Sequence, residues 1–144
     1  MEQTDQYHIS PRETSDFIEG YYEAALFATA AVSEDPAFDE RTPYDLCCEV
    51  DPESRDRIEA SALDFLDSNR RAFYLAGELG HSWERMGHDA FLTREGHGAG
   101  FWDGDYPKLL GDHLTARAQS DRTDAYCWIE TDGDGVPVVF FENV

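Results

Sequence analysis

Apolar residues change their period along this chain, and that change restricts its folding more than any other feature. Before residue 80 they recur at helical spacing; after residue 88 short β-rich runs take over. Phe17, Tyr21, Ala24, Ala28 and Val32 lie three or four residues apart, and Ile18, Tyr22, Ala25 and Leu26 widen the stripe, which predicts a helix over 15–33. Ser15 is its expected N-cap, with Asp16 and Glu19 in the first turn, where the helix dipole favours anions. Residues 1–14 are polar, contain the breaker Ser10-Pro11, and are expected to be flexible. A proline-containing acidic loop follows, then a short turn of helix expected at Leu46–Val50. Asp51-Pro52 is the clearest helix start, a capping carboxylate before a proline whose ring suits the first helical position. It opens a predicted helix over 52–76, with Ile58, Ala62, Phe65, Leu66, Asn69 and Phe73 on the side facing the first helix, antiparallel to it.

Gly77, Gly80 and Gly87 read as loosening the chain, with Trp83 and Met86 as packing anchors. Beyond them Ala90–Arg94 and Gly100–Asp103 read as two strands of a hairpin around a glycine-rich turn. Pro107 opens a helix ending near Ser120. Two further β-rich runs, Ala125–Glu130 and Val136–Glu142, flank Thr131-Asp132-Gly133-Asp134-Gly135, a strong hairpin signal because Asp and Gly tolerate positive φ. Pro137 suggests an edge strand. The expected fold is α+β in a single domain, 1–144. A helical half, 15–80, supplies two helices that pack on the antiparallel ββαββ sheet of residues 88–144.

With 31 acidic and 11 basic residues the net charge is −20, yet 41% hydrophobic and 13% aromatic content is too apolar for a disordered acidic tail. Such a charge repels phosphates, which excludes general affinity for nucleic acid or anionic lipid. No apolar run approaches the ~18–20 residues that span a bilayer, and the first residues lack a secretory pattern, so a cytoplasmic protein is expected. Lys108 is the single lysine among the cations. Three readings of this balance stay open: GC-rich coding, which favours arginine; adaptation to high salt; and an acidic face that imitates a nucleic-acid backbone. Residues 1–80 carry 19 acids and six bases, residues 81–144 carry 12 and five, so the helical half holds most of the field. Cys47, Cys48 and Cys127 have no metal-ligand spacing and read as buried free thiols.

The segment from Gly87 to Asp103, GHDAFLTREGHGAGFWD, resembles the signature of an uncharacterised family of small proteins encoded by tailed bacteriophages and related mobile elements. That pattern is GHDFWLTR, a turn, HGxGFWD, and a helix containing GDxLT, present here as Gly111-Asp112-His113-Leu114-Thr115. The opening helix around Asp16–Leu26 and the closing DGDG with its strand are similar as well. Ala90 and Phe91 replace the usual Phe-Trp pair, and Glu95 stands where Asn is common. The resemblance implies a phage or provirus origin and transfers no catalytic role.

The motif residues His88, Asp89, Arg94, His97, Phe101, Trp102 and Asp103 are the candidate site. His81, His88, His97 and His113, with Asp89, Asp103, Asp105 and Asp112, offer imidazole and carboxylate donors, and His88, His97 and Asp103 are the metal-ligand candidates. Their spacing matches no established metal motif, and the sequence calls for no cofactor. Gly96, Gly98 and Gly100 suggest an anion-holding nest of N–H groups, or simply a tight turn. Phe101 and Trp102 could stack bases, but too few cations surround them. A GxSxG nucleophile elbow is missing, and the DGDG turn fails the calcium-loop pattern at Val136 and Pro137. The expectation is a small acidic accessory protein that binds a basic host or viral protein, in concrete form a nucleic-acid-mimicking inhibitor of a host or defence protein. The alternatives are a metal-assisted hydrolase or nucleotide-processing enzyme using the His/Asp motif, and a halophilic protein whose acidity is salt adaptation.

Overall fold

Ser10 starts the first helix by satisfying two of the N–H groups that a helix end leaves open. Its hydroxyl accepts from the Glu13 N–H at 3.1 Å, while the Glu13 carboxylate accepts from the Ser10 N–H at 2.9 Å. Pro11 takes the first helical position, and α1 runs Pro11–Ala28. The helix therefore begins four residues before the expected Ser15 cap, and residues 11–14, expected to be flexible, form its first turn. A 3₁₀ turn, Thr4–Tyr7, precedes it, and Ile9 is buried. The computed structural model describes residues 4–97, 99–103 and 105–144, with the side chains of Thr4, Asp5 and Asp103 outside the description; the expected flexibility of residues 1–3 lies outside it too. The helix stops at Ala28 because Ala31–Val32 (β1) pair with a later strand.

The remaining elements are α2 (Pro43–Leu46), β2 (Glu49–Val50), α3 (Pro52–Ser68), α4 (Arg70–Glu78), α5 (Trp83–Arg94), α6 (Lys108–Ser120), β3 (Tyr126–Thr131) and β4 (Pro137–Glu142). The helical turn expected at Leu46–Val50 is displaced: α2 ends at Leu46, Cys47 adopts φ 55°, and Glu49–Val50 become a strand. Asp51 caps α3 as expected, accepting from the Ser54 N–H at 3.1 Å and its hydroxyl at 3.3 Å. The Ser54 oxygen accepts in turn from the Phe141 N–H at 2.9 Å, which fastens the start of α3 to β4. The helix expected over 52–76 is interrupted at Asn69 (φ −127°, ψ 30°), whose carboxamide nitrogen donates to the Phe65 carbonyl at 2.9 Å.

The larger correction concerns residues 88–103. Ala90–Arg94 is not a strand but the end of α5, and Phe101–Asp103 is a 3₁₀ turn, so the expected first hairpin of the ββαββ unit does not exist. Of the buried residues of α5, Met86, Gly87, Ala90, Phe91 and Arg94 carry a helical period that continues straight through Gly87, with Asp89 and Thr93 buried beside them. Gly87 is a contact, not a breaker. A β-carbon there would lie 1.9 Å from the Phe17 carbonyl oxygen, and one on Gly20 would lie 1.9 Å from the Glu84 carbonyl oxygen. α1 and α5 thus cross backbone against backbone.

The class is α+β, and the described residues form six α-helices and one four-stranded sheet in the order β1-β3-β4-β2. The β3–β4 hairpin forms as expected, in register from Tyr126–Glu142 to Thr131–Pro137, and the Asp132 carboxylate closes its turn by accepting from the Asp134 and Val136 N–H groups. The sheet is mixed where an antiparallel one was expected, because β1 and β2, both from the α1–α3 connection, add in parallel to β3 and β4. β4 is consequently an inner strand. Pro137 is tolerated as its first residue, beyond the Glu49–Val138 pairing. Phe17, Tyr21, Phe65, Phe73, Phe91 and Phe101 form the centre of the core, with edge-to-face pairs Phe17–Phe73 at 4.9 Å and Tyr21–Phe91 at 5.3 Å. Of the cysteines, Cys127 is buried but Cys47 is exposed, against expectation, and Cys48 lies between. Among the described residues no helix is long and apolar enough to cross a membrane.

Gly87→Ala and Gly20→Ala each test the crossing. Alanine's helix propensity favours the variants by about 1 kcal/mol, but forcing the backbones apart costs about 1–3 kcal/mol or more. A net loss of stability in urea denaturation is expected for each, and the double variant should lose less than the two together because both act on one contact. Gly133→Ala, where a β-carbon meets nothing within 4 Å, should change stability by less than about 0.5 kcal/mol.

Candidate functional site

Helix α5 carries three of the candidate residues, and the helical period decides where they go. Arg94, at its last turn, is buried in the core beside Phe65, its guanidinium 5.0 Å from the ring centre. It donates to the Tyr21 hydroxyl at 2.8 Å, the Ser61 hydroxyl at 3.0 Å and the Asp121 carbonyl at 2.8 Å, and its other terminal nitrogen lies 3.4 Å from the Asp121 carboxylate. This one side chain joins α1, α3, α5 and the end of α6. Burial pushes the Tyr21 phenol above its ordinary pKa, against the opposing pull of the Arg94 charge. The backbone continues the same work: the Arg94 carbonyl accepts from the Thr123 N–H and the Arg122 side chain, and the Glu95 carboxylate accepts from the Thr123 hydroxyl and the Ala125 N–H.

Asp89, one turn before Thr93 on α5, is the buried carboxylate among the described residues. It accepts from the Tyr106 hydroxyl at 2.9 Å and pairs with the exposed Arg85 at 3.4 Å. Burial raises its pKa above the carboxylate range, and the Tyr106 hydrogen bond and Arg85 charge offset that only in part. Burial and then Asp89 itself push the Tyr106 phenol upward, so the phenol stays the donor. His81 stacks on the Tyr106 ring, with centroids 4.3 Å apart. Sequence reading had missed Arg85, Tyr106, Tyr21 and Ser61. Only Arg85 carried a signal, at i−4 from Asp89 on a helix; the others come from separate elements.

Beside this chain of contacts an open cleft of about 490 Å³ is lined by Glu23 of α1, Ser82, Glu84, Arg85, His88, Asp89 and Leu92 of α5 and its cap, and Ala99. It brings an imidazole, a guanidinium and three carboxylates together. His88 and Asp89 meet there, but His97 lies exposed past the end of α5, its N–H bonded to the Leu92 carbonyl. Of the expected His88–His97–Asp103 set, His88 lines the cleft and His97 does not, and the Asp103 side chain lies outside the described residues. Among the described residues no group of three His, Cys, Asp or Glu side chains could hold a metal ion. Phe101 is buried and Trp102 exposed, so the two do not form a stacking platform. Of the expected glycine nest, Gly98 lies outside the described residues. Gly96 (φ 77°) packs against the Arg122 guanidinium, and a β-carbon on Gly100 (φ 153°) would lie 2.1 Å from the Thr93 hydroxyl oxygen. That hydroxyl donates to the Asp89 carbonyl and accepts from the Phe101 N–H, which fixes the turn against α5.

Protein-family models, curated protein sequences and solved structures give no match to this chain.

Two measurements separate structure from chemistry in this region. Arg94→Lys, which cannot bridge Tyr21, Ser61 and Asp121 at once, should cost about 2–4 kcal/mol of stability, whereas His88→Ala should cost under about 1 kcal/mol. Because the folded pKa of Asp89 lies above its unfolded value, its contribution is fully present below the ordinary carboxylate pKa, about 4. It falls as pH rises through the folded value. Asp89→Asn should flatten that part of the stability–pH curve, measured by chemical denaturation.

Proposed function

We propose that this is a small phage-type accessory protein that acts by binding a basic host or viral protein through its acidic exterior, as a nucleic-acid-mimicking inhibitor would. The observation that carries the reading is the contrast between motif and surface. Thr93, Arg94 and Phe101 spend their polar and aromatic groups inside the fold. Carboxylates instead cover the outside of α1 (Asp16, Glu19, Glu23) and α3 (Glu53, Asp56, Asp64, Asp67), and the β3–β4 turn (Asp132, Asp134). A motif used in this way supports shape, and a surface of one sign raises encounter rates with a basic partner. The phage origin rests on the sequence resemblance, and a cytoplasmic site of action on the reducing chemistry that free thiols suit.

The enzyme reading draws on the cleft that His88, Asp89 and Arg85 share, where a buried acid of raised pKa sits beside an imidazole. An arginine-rich peptide titrated by calorimetry at about 0.05 M and 0.5 M salt decides between them. Binding at low salt that weakens at least about tenfold at high salt is expected, and Asp56→Asn/Asp64→Asn/Asp67→Asn should weaken it further. No binding at low salt counts against the proposal. Metal found in purified protein, or an activity lost in His88→Ala, favours the enzyme.

A further inference from the structure

Helices α4 and α6 present one surface that the acidic exterior does not explain. On α4 and its C-cap, Arg71, Leu75 and Leu79 recur every four residues; on α6, Leu109, His113 and Arg117 do the same. The two stripes lie side by side and run in opposite directions. Leu75, Leu79, Pro107, Leu109 and Leu110 line an almost wholly apolar groove of about 330 Å³. Arg70, Arg71 and Arg117 gather around an adjoining hollow of about 310 Å³, and His113 lines both. Leu75 is 50% exposed, Leu79 54% and Leu109 85%. Arg117 is held in place by Asn69, whose carboxamide oxygen accepts from its Nε at 3.0 Å; Arg70 pairs with Asp67 at 2.8 Å, and Arg71 lies over the Tyr7 ring. In a chain of 11 lysines and arginines with a charge of −20, three arginines meet at one hollow; among the described residues its lining holds no carboxylate, and only Arg70 of the three is paired with one, Asp67. Grouped exposed leucines next to such a hollow mark a contact surface.

We propose that this face docks an acidic amphipathic segment of a partner protein. Its apolar side chains would seat on Leu75, Leu79 and Leu109, and its carboxylates would face Arg70, Arg71 and Arg117, the helix-in-groove mode of recognition. Charge complementarity selects the occupant. A second copy would bring another −20 against the first, whereas a short segment brings only a few charges. A single-chain amphiphile fits less well, since small-molecule sites enclose most of their ligand and this groove is open.

The test is fluorescence anisotropy with a labelled synthetic helix carrying Leu and Phe at i, i+3, i+4 and i+7 and Glu between them. The expected result is saturable binding with a Kd below about 1 mM, at least tenfold weaker for Leu109→Asp and for Arg71→Glu, and absent for a scrambled peptide. Circular dichroism melts of both variants should match the parent, since both side chains are exposed. Binding of an arginine-rich peptide should be unchanged by Leu109→Asp, which keeps this surface distinct from the acidic one. The proposal is overturned by a lack of saturable binding, or by equal binding of the variants or of the scrambled peptide. It is also overturned by sedimentation showing a dimer that Leu109→Asp dissociates, or by dodecyl phosphate displacing the peptide at lower concentration than the peptide itself requires.

Discussion

The Phe17 and Glu84 carbonyl oxygens occupy the positions that β-carbons would need on Gly87 and Gly20, so α1 and α5 meet with no side chain between them at two points. Packing at this distance leaves larger side chains only at the flanks of the contact, and those flanks hold Tyr21 against Phe91 and Phe17 against Phe73. The same approach brings the last turn of α5 near Tyr21, which allows the Arg94 guanidinium to reach a hydroxyl on α1 and another on α3. Widening the crossing would first remove these hydrogen bonds. A buried guanidinium that loses its acceptors is far costlier than a lost apolar contact.

Arg94 and Asp89 solve the same problem differently. The arginine keeps a charge in the core by spreading it over the Tyr21 and Ser61 hydroxyls, the Asp121 carbonyl and an exposed carboxylate at the rim. Asp89 has only a phenol and a solvent-facing arginine, and burial outweighs both, so its acid form gains ground. One residue fastens helices together; the other is a titrating group on the wall of a cleft. Of the motif residues, Asp89 and its neighbour His88 therefore retain access to chemistry, while Thr93, Arg94 and Phe101 are committed to packing.

The elements legible in the sequence were those whose signals are local. The β3–β4 hairpin follows from Asp and Gly at its turn, α6 from a proline start and a leucine period, and the start of α3 from Asp51-Pro52. Ser10 was recognisable too, since Pro11 and Glu13 complete a capping box that Ser15, followed by Ile18 at the third position, cannot make. α5 was missed because glycine inside a helix is unfavourable by itself, and only the partner helix makes Gly87 an advantage. β1 and β2, two residues each, are too short to show any period and exist because β3 and β4 offer them edges. The interruption at Asn69 carries a contact to Arg117, 48 positions away, that no local pattern announces. For the site, Asp89 and Arg94 could be named from the motif, but Tyr21, Ser61 and Tyr106 could not, since fold alone makes them neighbours.

Asn69 also ties the fold to the second surface. A continuous helix over 52–76 would carry Arg70 and Arg71 onward along the axis of α3. The break instead starts α4 afresh beside α6, with Arg117 drawn in by the Asn69 carboxamide. The side-chain nitrogen of that residue meanwhile satisfies the Phe65 carbonyl left open by the break, so the kink leaves no buried polar group of Asn69 without a partner. Arginines that would have been scattered among carboxylates are thereby concentrated next to three exposed leucines. Asn69 thus holds both the end of α3 and the position of Arg117 beside exposed Leu75, Leu79 and Leu109.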